Sequence, residues 1–197
     1  MLTVTTQRTE LKLVSLDALK TELQITATDT DDYLSALLDR VSQIVEAYCR
    51  RVFAVESVSE TLRLGSRDQL LLERYPVVSV ETVTELGTVL TAADYEVYQE
   101  SGQLFRLQSD ERMEWPSGKI IVAYTAGYAV IPGSGQQGIF ELVKLGNAAR
   151  TRDPSLKSEN ILEGLYSYQL FGPSDNEGGL PSNVSALLSP FINHYIA

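Results

Sequence analysis

Tyr95-Glu96-Val97-Tyr98-Gln99-Glu100-Ser101-Gly102-Gln103-Leu104-Phe105-Arg106-Leu107 is a pair of alternating runs joined by three residues, Glu100-Ser101-Gly102. Apolar and polar side chains exchange along each run, the period of a half-buried strand. Gly102 can take the positive φ that a tight reversal needs. Strands joined this closely are antiparallel, because parallel neighbours need a crossover of a dozen residues or more. The same period extends in both directions. Val58-Ser59-Glu60-Thr61-Leu62-Arg63-Leu64 alternates, and Lys119-Ile120-Ile121-Val122-Ala123-Tyr124-Thr125 follows the turn residues Pro116-Ser117-Gly118. Val77-Val78-Ser79-Val80-Glu81-Thr82-Val83 is rich in β-branched residues, and its phase slips around residue 81, which predicts a bulge. A β-region over residues 57–126 is the centre of the chain.

Helical periods flank it. A short helix is predicted over 17–23, with Ser15 or Asp17 near its start. Thr28-Asp29-Thr30-Asp31-Asp32 then looks like a cap and an acidic first turn. It opens a longer helix over 31–51, with Leu34, Leu37, Leu38, Val41, Ile44, Val45 and Tyr48 at spacings of three and four. Acid at its start and Arg50-Arg51 at its end both suit the helix dipole. After the β-region, Ile139, Phe140, Leu142, Val143 and Leu145 mark a helix over 136–150. Thr151 to Glu159 is a polar stretch, Tyr166 to Phe171 alternates like an edge strand or an extended arm, and Gly172 to Ser182 reads as a loop. A short helix at about 183–188 stops at Pro190. Helices, a strand meander, then helices make an α+β fold. The expected organisation is a core over 1–152 and a C-terminal arm over 153–197.

Composition narrows the chemistry. The 197 residues are 44% hydrophobic and 21% charged, as in a folded soluble domain. Sixteen basic against 26 acidic residues leave a net charge of -10, spread along the chain. Dedicated nucleic-acid binders gain affinity by neutralising phosphates with Lys and Arg, so this balance argues against one. One cysteine, Cys49, excludes an internal disulfide and a CxxC site, and one histidine, His194, excludes sites with several His ligands. The first residues lack a basic stretch followed by an apolar one, so no secretory signal is expected. No apolar run approaches the ~20 residues that cross a bilayer.

Three constellations tempt a catalytic reading. Gly133-Ser134-Gly135-Gln136-Gln137-Gly138 matches GxGxxG, with Glu159 where a ribose-binding acid could stand. Its preceding strand belongs to an antiparallel meander and a charged loop follows its helix, so a flexible turn is the expected role. Asp29, Asp31 and Asp32 could in principle hold Mg²⁺ or Ca²⁺, but they miss the EF-hand spacing and suit a helix start. Cys49 and His194 could be nucleophile and base. Cys49 lies in the last turn of an amphipathic helix and His194 near the terminus, which predicts a buried structural thiol and an exposed imidazole. Tyr95, Tyr98 and Tyr124 sit in alternating strands, where aromatics are favoured, with no basic surface beside them. No catalytic residue, metal or cofactor is expected.

The order of segments resembles the bacteriophage head–tail connector, or adaptor, family, including its gene-transfer-agent members. The resemblance lies in Leu16-Asp17-Ala18-Leu19-Lys20-Thr21-Glu22-Leu23 followed by Asp31-Asp32-Tyr33-Leu34. It continues through Tyr75-Pro76-Val77-Val78-Ser79-Val80, Ala93-Asp94-Tyr95-Glu96-Val97 and Ser101-Gly102-Gln103-Leu104. Trp115-Pro116, Val122-Ala123-Tyr124-Thr125-Ala126-Gly127-Tyr128 and Ile131-Pro132 complete it, over residues 12 to about 150. Gly133 to Gly138 departs from it, where bulkier helix-starting residues are expected.

The resemblance implies a non-enzymatic homo-oligomeric ring, commonly of twelve copies, below the portal protein of a filled capsid. There it joins the portal to the next neck or tail component, and DNA passes through its lumen. It implies a place in the neck of a virion or gene-transfer-agent particle, and in the host cytoplasm during assembly, with no membrane partner. The residues agree: an acidic conduit repels phosphates rather than gripping them. Beyond the glycine-rich lead Asn176-Glu177-Gly178-Gly179, the residues Val184, Leu187, Leu188, Phe191, Ile192 and Tyr195 form an apolar set too short to be stable alone as a helix. They are the candidate portal-binding residues, with packing on the chain's own domain as the other outcome. A carboxylate-dependent hydrolase using the Asp29 cluster and a monomeric β-sheet binding module are the alternative functions.

Overall fold

The strands of the β-region are β1 (Leu2–Thr6), β2 (Glu56–Leu64), β3 (Gln69–Leu71), β4 (Val77–Glu85), β5 (Thr88–Val89), β6 (Tyr95–Tyr98), β7 (Gln103–Gln108), β8 (Glu111–Met113) and β9 (Gly118–Ala126). A later hairpin pairs β10 (Ser158–Ile161) with β11 (Gly164–Ser167). The helices are α1 (Leu16–Leu23), α2 (Asp31–Cys49), α3 (Gly133–Arg150) and α4 (Ser182–Leu188). This computed structural model describes residues 1–6, 11–150, 158–161, 164–167 and 180–193. The fold is α+β, and the chain divides into two compact units.

The first unit takes Met1–Thr9 and Val52–Val130. One sheet has the order β1-β2-β9-β4-β5, and a second places β7 between β6 on one side and β3 and β8 on the other. Every pairing is antiparallel, as the short connections require. Between Val80 and Thr82 the register against β9 shifts, which leaves Glu81 as the bulged residue the phase slip predicted. A second shift between Val77 and Ser79 was not legible in the sequence. The expected turn forms: Gly102 has φ +69 and its N–H donates to the Tyr98 carbonyl at 2.9 Å. Alternation then sends Val58, Leu104, Ile120, Val122 and Tyr124 inward, onto Leu70, Leu72, Val77, Val83 and Trp115. Trp115 is fully buried and its indole N–H donates to the Leu104 carbonyl, so the large ring enters the core without an orphaned polar atom.

The second unit takes Glu10–Arg51 and Ile131–Ala197. Ser15 caps α1, its hydroxyl accepting from the Ala18 N–H. Leu34, Leu37, Leu38, Val41, Val45 and Cys49 make the buried stripe of α2. Ile44 is exposed instead, because it lies one position off the stripe that runs through Val41, Val45 and Cys49. Ile139, Phe140, Leu142 and Val143 are the buried face of α3. The Gly133–Gly138 segment corrects the expectation of a flexible turn, since it is the first part of α3, three residues ahead of the predicted start. Glu159 lies on β10 rather than in a polar loop. The boundary expected at residue 152, the polar stretch 151–157, residues 168–171 of the alternating run and the lead Asn176–Gly179 lie outside the described residues.

Candidate functional site

The expected partner-binding set is at the C-terminal end. Val184 and Leu188 of α4 are fully buried, and so, nearly, is Phe191 in the 3₁₀ turn Ser189–Phe191. Leu187 and Ile192 are half-buried, and Tyr195 lies outside the described residues. The apolar face of this helix is therefore filled within its own chain, and α3 explains how. Gly135 and Gly138 leave a shallow seam on α3: a Cβ on Gly138 would stand 3.1 Å from Leu188 Cδ2. A Cβ on Gly135 would stand 2.8 Å from Ile131 Cγ2 and 3.5 Å from Phe191 Cε2. Glycine's missing side chain permits that approach. The Asn193 N–H donates to the Cys49 carbonyl at 2.8 Å, which ties the segment to the end of α2. Close helix packing, not phosphate binding, is what the GxGxxG spacing encodes here.

The other candidate residues are dispersed. Cys49 is a buried free thiol, pushed up to about 12 by burial, which opposes thiolate formation. His194 lies outside the described residues. Asp31 accepts from Lys20 Nζ at 2.7 Å, so this first-turn carboxylate of α2 ties α1 to α2. Thr30, the N-cap, makes no side-chain capping bond. Among the described residues, no three His, Cys, Asp or Glu side chains converge as a metal cage would require.

One buried polar cluster was missed by sequence reasoning. Glu60 lies in the β-core, where its Oε2 accepts from the Tyr124 hydroxyl at 2.9 Å and the Glu73 N–H at 3.1 Å. The Tyr124 oxygen in turn accepts from the Arg74 N–H at 3.1 Å. Burial raises the Glu60 carboxyl and the Tyr124 phenol alike. The cluster pins the β3–β4 connection to the sheet. The signal was strand parity: Glu60 shares its phase in β2 with Val58 and Leu62.

On the outer face of the second sheet, Arg112 stacks 4.0 Å from the Phe105 ring centroid. Its Nε and Nη2 donate to Glu96 Oε2, and Nη2 also donates to the Tyr98 hydroxyl. No described helix is long and apolar enough to cross a membrane.

The chain is similar in fold to the neck of an empty GTA particle computed with C6 symmetry, at 14% identity and a TM-score of 0.60. It is also similar to a chain in the virion of a native gene transfer agent (GTA) particle, at 16% and 0.58, and to one in the neck of a native GTA particle computed with C12 symmetry, at 18% and 0.52. Each match covers 100% of this chain and 97% of the other. No curated protein matches the sequence. The family model described as head completion protein matches residues 12–148, from just before α1 nearly to the end of α3, and the chain belongs to the head completion protein family.

Proposed function

We propose that the protein is a structural head–tail connector: a ring of copies in the particle neck, below the portal, that joins the capsid to the next neck or tail component and lets DNA pass. The head completion match over residues 12–148 carries this reading. The ring is supported by the similar fold of chains in particle necks computed with C6 and C12 symmetry. A non-enzymatic role is supported by the inert buried thiol of Cys49 and by the pairing of Asp31 with Lys20. For portal contact, Val184, Leu188 and Phe191 act from inside, by holding α4 on α3, and Leu187, Ile192 and Tyr195 supply the contact itself. The experiment is assembly with the portal of the same particle, followed by electron microscopy and mass measurement. Twelve copies of the 21.8 kDa chain add about 260 kDa to the portal. A chain that leaves the portal bare, or that binds as a single copy, overturns the connector reading.

A further inference from the structure

On β2 and β9, the outer face of the five-stranded sheet mixes small hydroxyl side chains with two small or aliphatic ones and two cations. β2 sends Val58, Glu60 and Leu62 inward, so Ser57, Ser59, Thr61 and Arg63 face outward. Their ladder partners on β9 are Thr125, Ala123, Ile121 and Lys119. One rung of this ladder, Arg63 opposite Lys119, sets two cations side by side. Like charges directly opposite one another destabilise a sheet. Both side chains are exposed, and neither has a carboxylate in ion-pair distance among the described residues, although the chain has 26 acids. They border an open depression of about 540 Å³ shared with Met1, Thr61 and Leu62. A local rule broken with no compensating partner points to function.

We propose that Arg63 and Lys119 form a contact for the phosphodiester backbone of duplex DNA. The contact deepens the connector reading and rests on it, since it gives the traversing DNA a place to touch the ring. The neighbouring side chains favour a polyanion over a protein partner. Arg, Lys, Ser and Thr are the residues that contact phosphates, whereas protein–protein interface cores are rich in aromatics and poor in Lys and Ser. Thr61 and Ile121 form the next rung on this face and Ser59 and Ala123 the one after, and β2 and β9 place no aromatic on it. The pair itself neutralises at most two phosphates per copy, so its grip is weak and salt-sensitive. That suits a conduit, which must touch DNA without holding it.

The test is titration of the full-length protein against a short labelled DNA duplex over a salt series, read by fluorescence anisotropy. The Arg63→Gln/Lys119→Gln variant is compared with Lys12→Gln/Lys144→Gln, which removes the same charge from the helical unit. The first variant should lose about tenfold in affinity at low salt, and its slope of log affinity against log salt should fall by about 2. The second should change less than about twofold. Equal losses in the two variants would reduce the effect to net charge and overturn the contact. So would undetectable binding by the unaltered protein at low salt, or displacement of the duplex by polyglutamate at matched charge, which would mark a dock for protein carboxylates. Relief of the like-charge rung should leave the melting temperature unchanged or higher, and a fall would reveal a structural partner and overturn the argument. Portal assembly on the same samples separates the two readings. Duplex binding through this pair with no portal assembly would sink the connector and keep the contact; portal assembly without duplex loss in the variant would do the reverse.

Discussion

Glu60 occupies a position where strand parity calls for an apolar side chain, and its three-point network with Tyr124, Glu73 and Arg74 is what makes that tolerable. Burial raises its carboxyl above the ordinary 4.5, so the folded protein holds that proton more tightly than the unfolded chain. The stability this gives is full below about pH 4.5 and is lost as pH rises through the folded value. Glu60→Gln removes the titration. The melting temperature of the variant relative to the unaltered protein should therefore improve steadily from pH 4 to pH 7, and a flat difference would contradict the assignment. Gly127 makes a second test at the same scale. Its φ is +126, and a Cβ there would run into the carbonyl of Ala54. Gly127→Ala should cost about 3 kcal/mol or more, seen as a much lower urea midpoint, because strain and collision add.

The α3–α4 seam shows how one element fixes the fate of another. A helix of seven residues is too short to persist alone, so α4 exists by packing, and Gly135 and Gly138 let it pack closely. Leu188→Ala should lower stability by about 2–5 kcal/mol, as for other fully buried leucines, measured by denaturant titration. Leu187 is half-buried with its Cβ near Gly138, so Leu187→Asp should cost about 1–2 kcal/mol, less than Leu188→Ala, while weakening portal assembly. If Leu187→Asp leaves the portal complex intact, contact through this end of the chain is wrong. The bulges of β4 belong to this scale too. By shifting register at Val78 and Glu81 they spoil a long open edge, and the Glu81 carboxylate satisfies the hydroxyls of Ser79 and Thr125 nearby.

For the whole molecule, charge sets the terms of assembly. Copies that each carry -10 repel one another when brought into a ring. Exposed charges are screened beyond about 10 Å at roughly 0.1 M salt. Rings formed without the portal should therefore increase as salt is raised from about 0.02 to 0.3 M, measured by mass photometry. DNA contact should run the opposite way, because counterion release weakens with salt. The two trends cross, so the same salt series that strengthens the ring should loosen the DNA.

Periodicity by itself determined the α+β class, the antiparallel pairing of the strands though not their order in the two sheets, the limits of α1 and α2 to within a residue or two, the bulge at Glu81 and the burial of Cys49. These depend on local spacing and on neighbours a few positions apart, which the chain displays directly. Only the tertiary structure decided the rest. The short strands β3, β5 and β8 have only two or three residues each, too few to show a period, and exist because longer strands offer them an edge. Ile44 belongs to the apolar period yet faces outward, since the width of a buried stripe depends on what packs against it. The glycines of Gly133–Gly138 could spell a turn, a phosphate cradle or a packing seam. Only the arrival of Leu188 and Phe191, some 50 residues along the chain, selects the seam, because the meaning of an absent side chain is set by whatever fills its space.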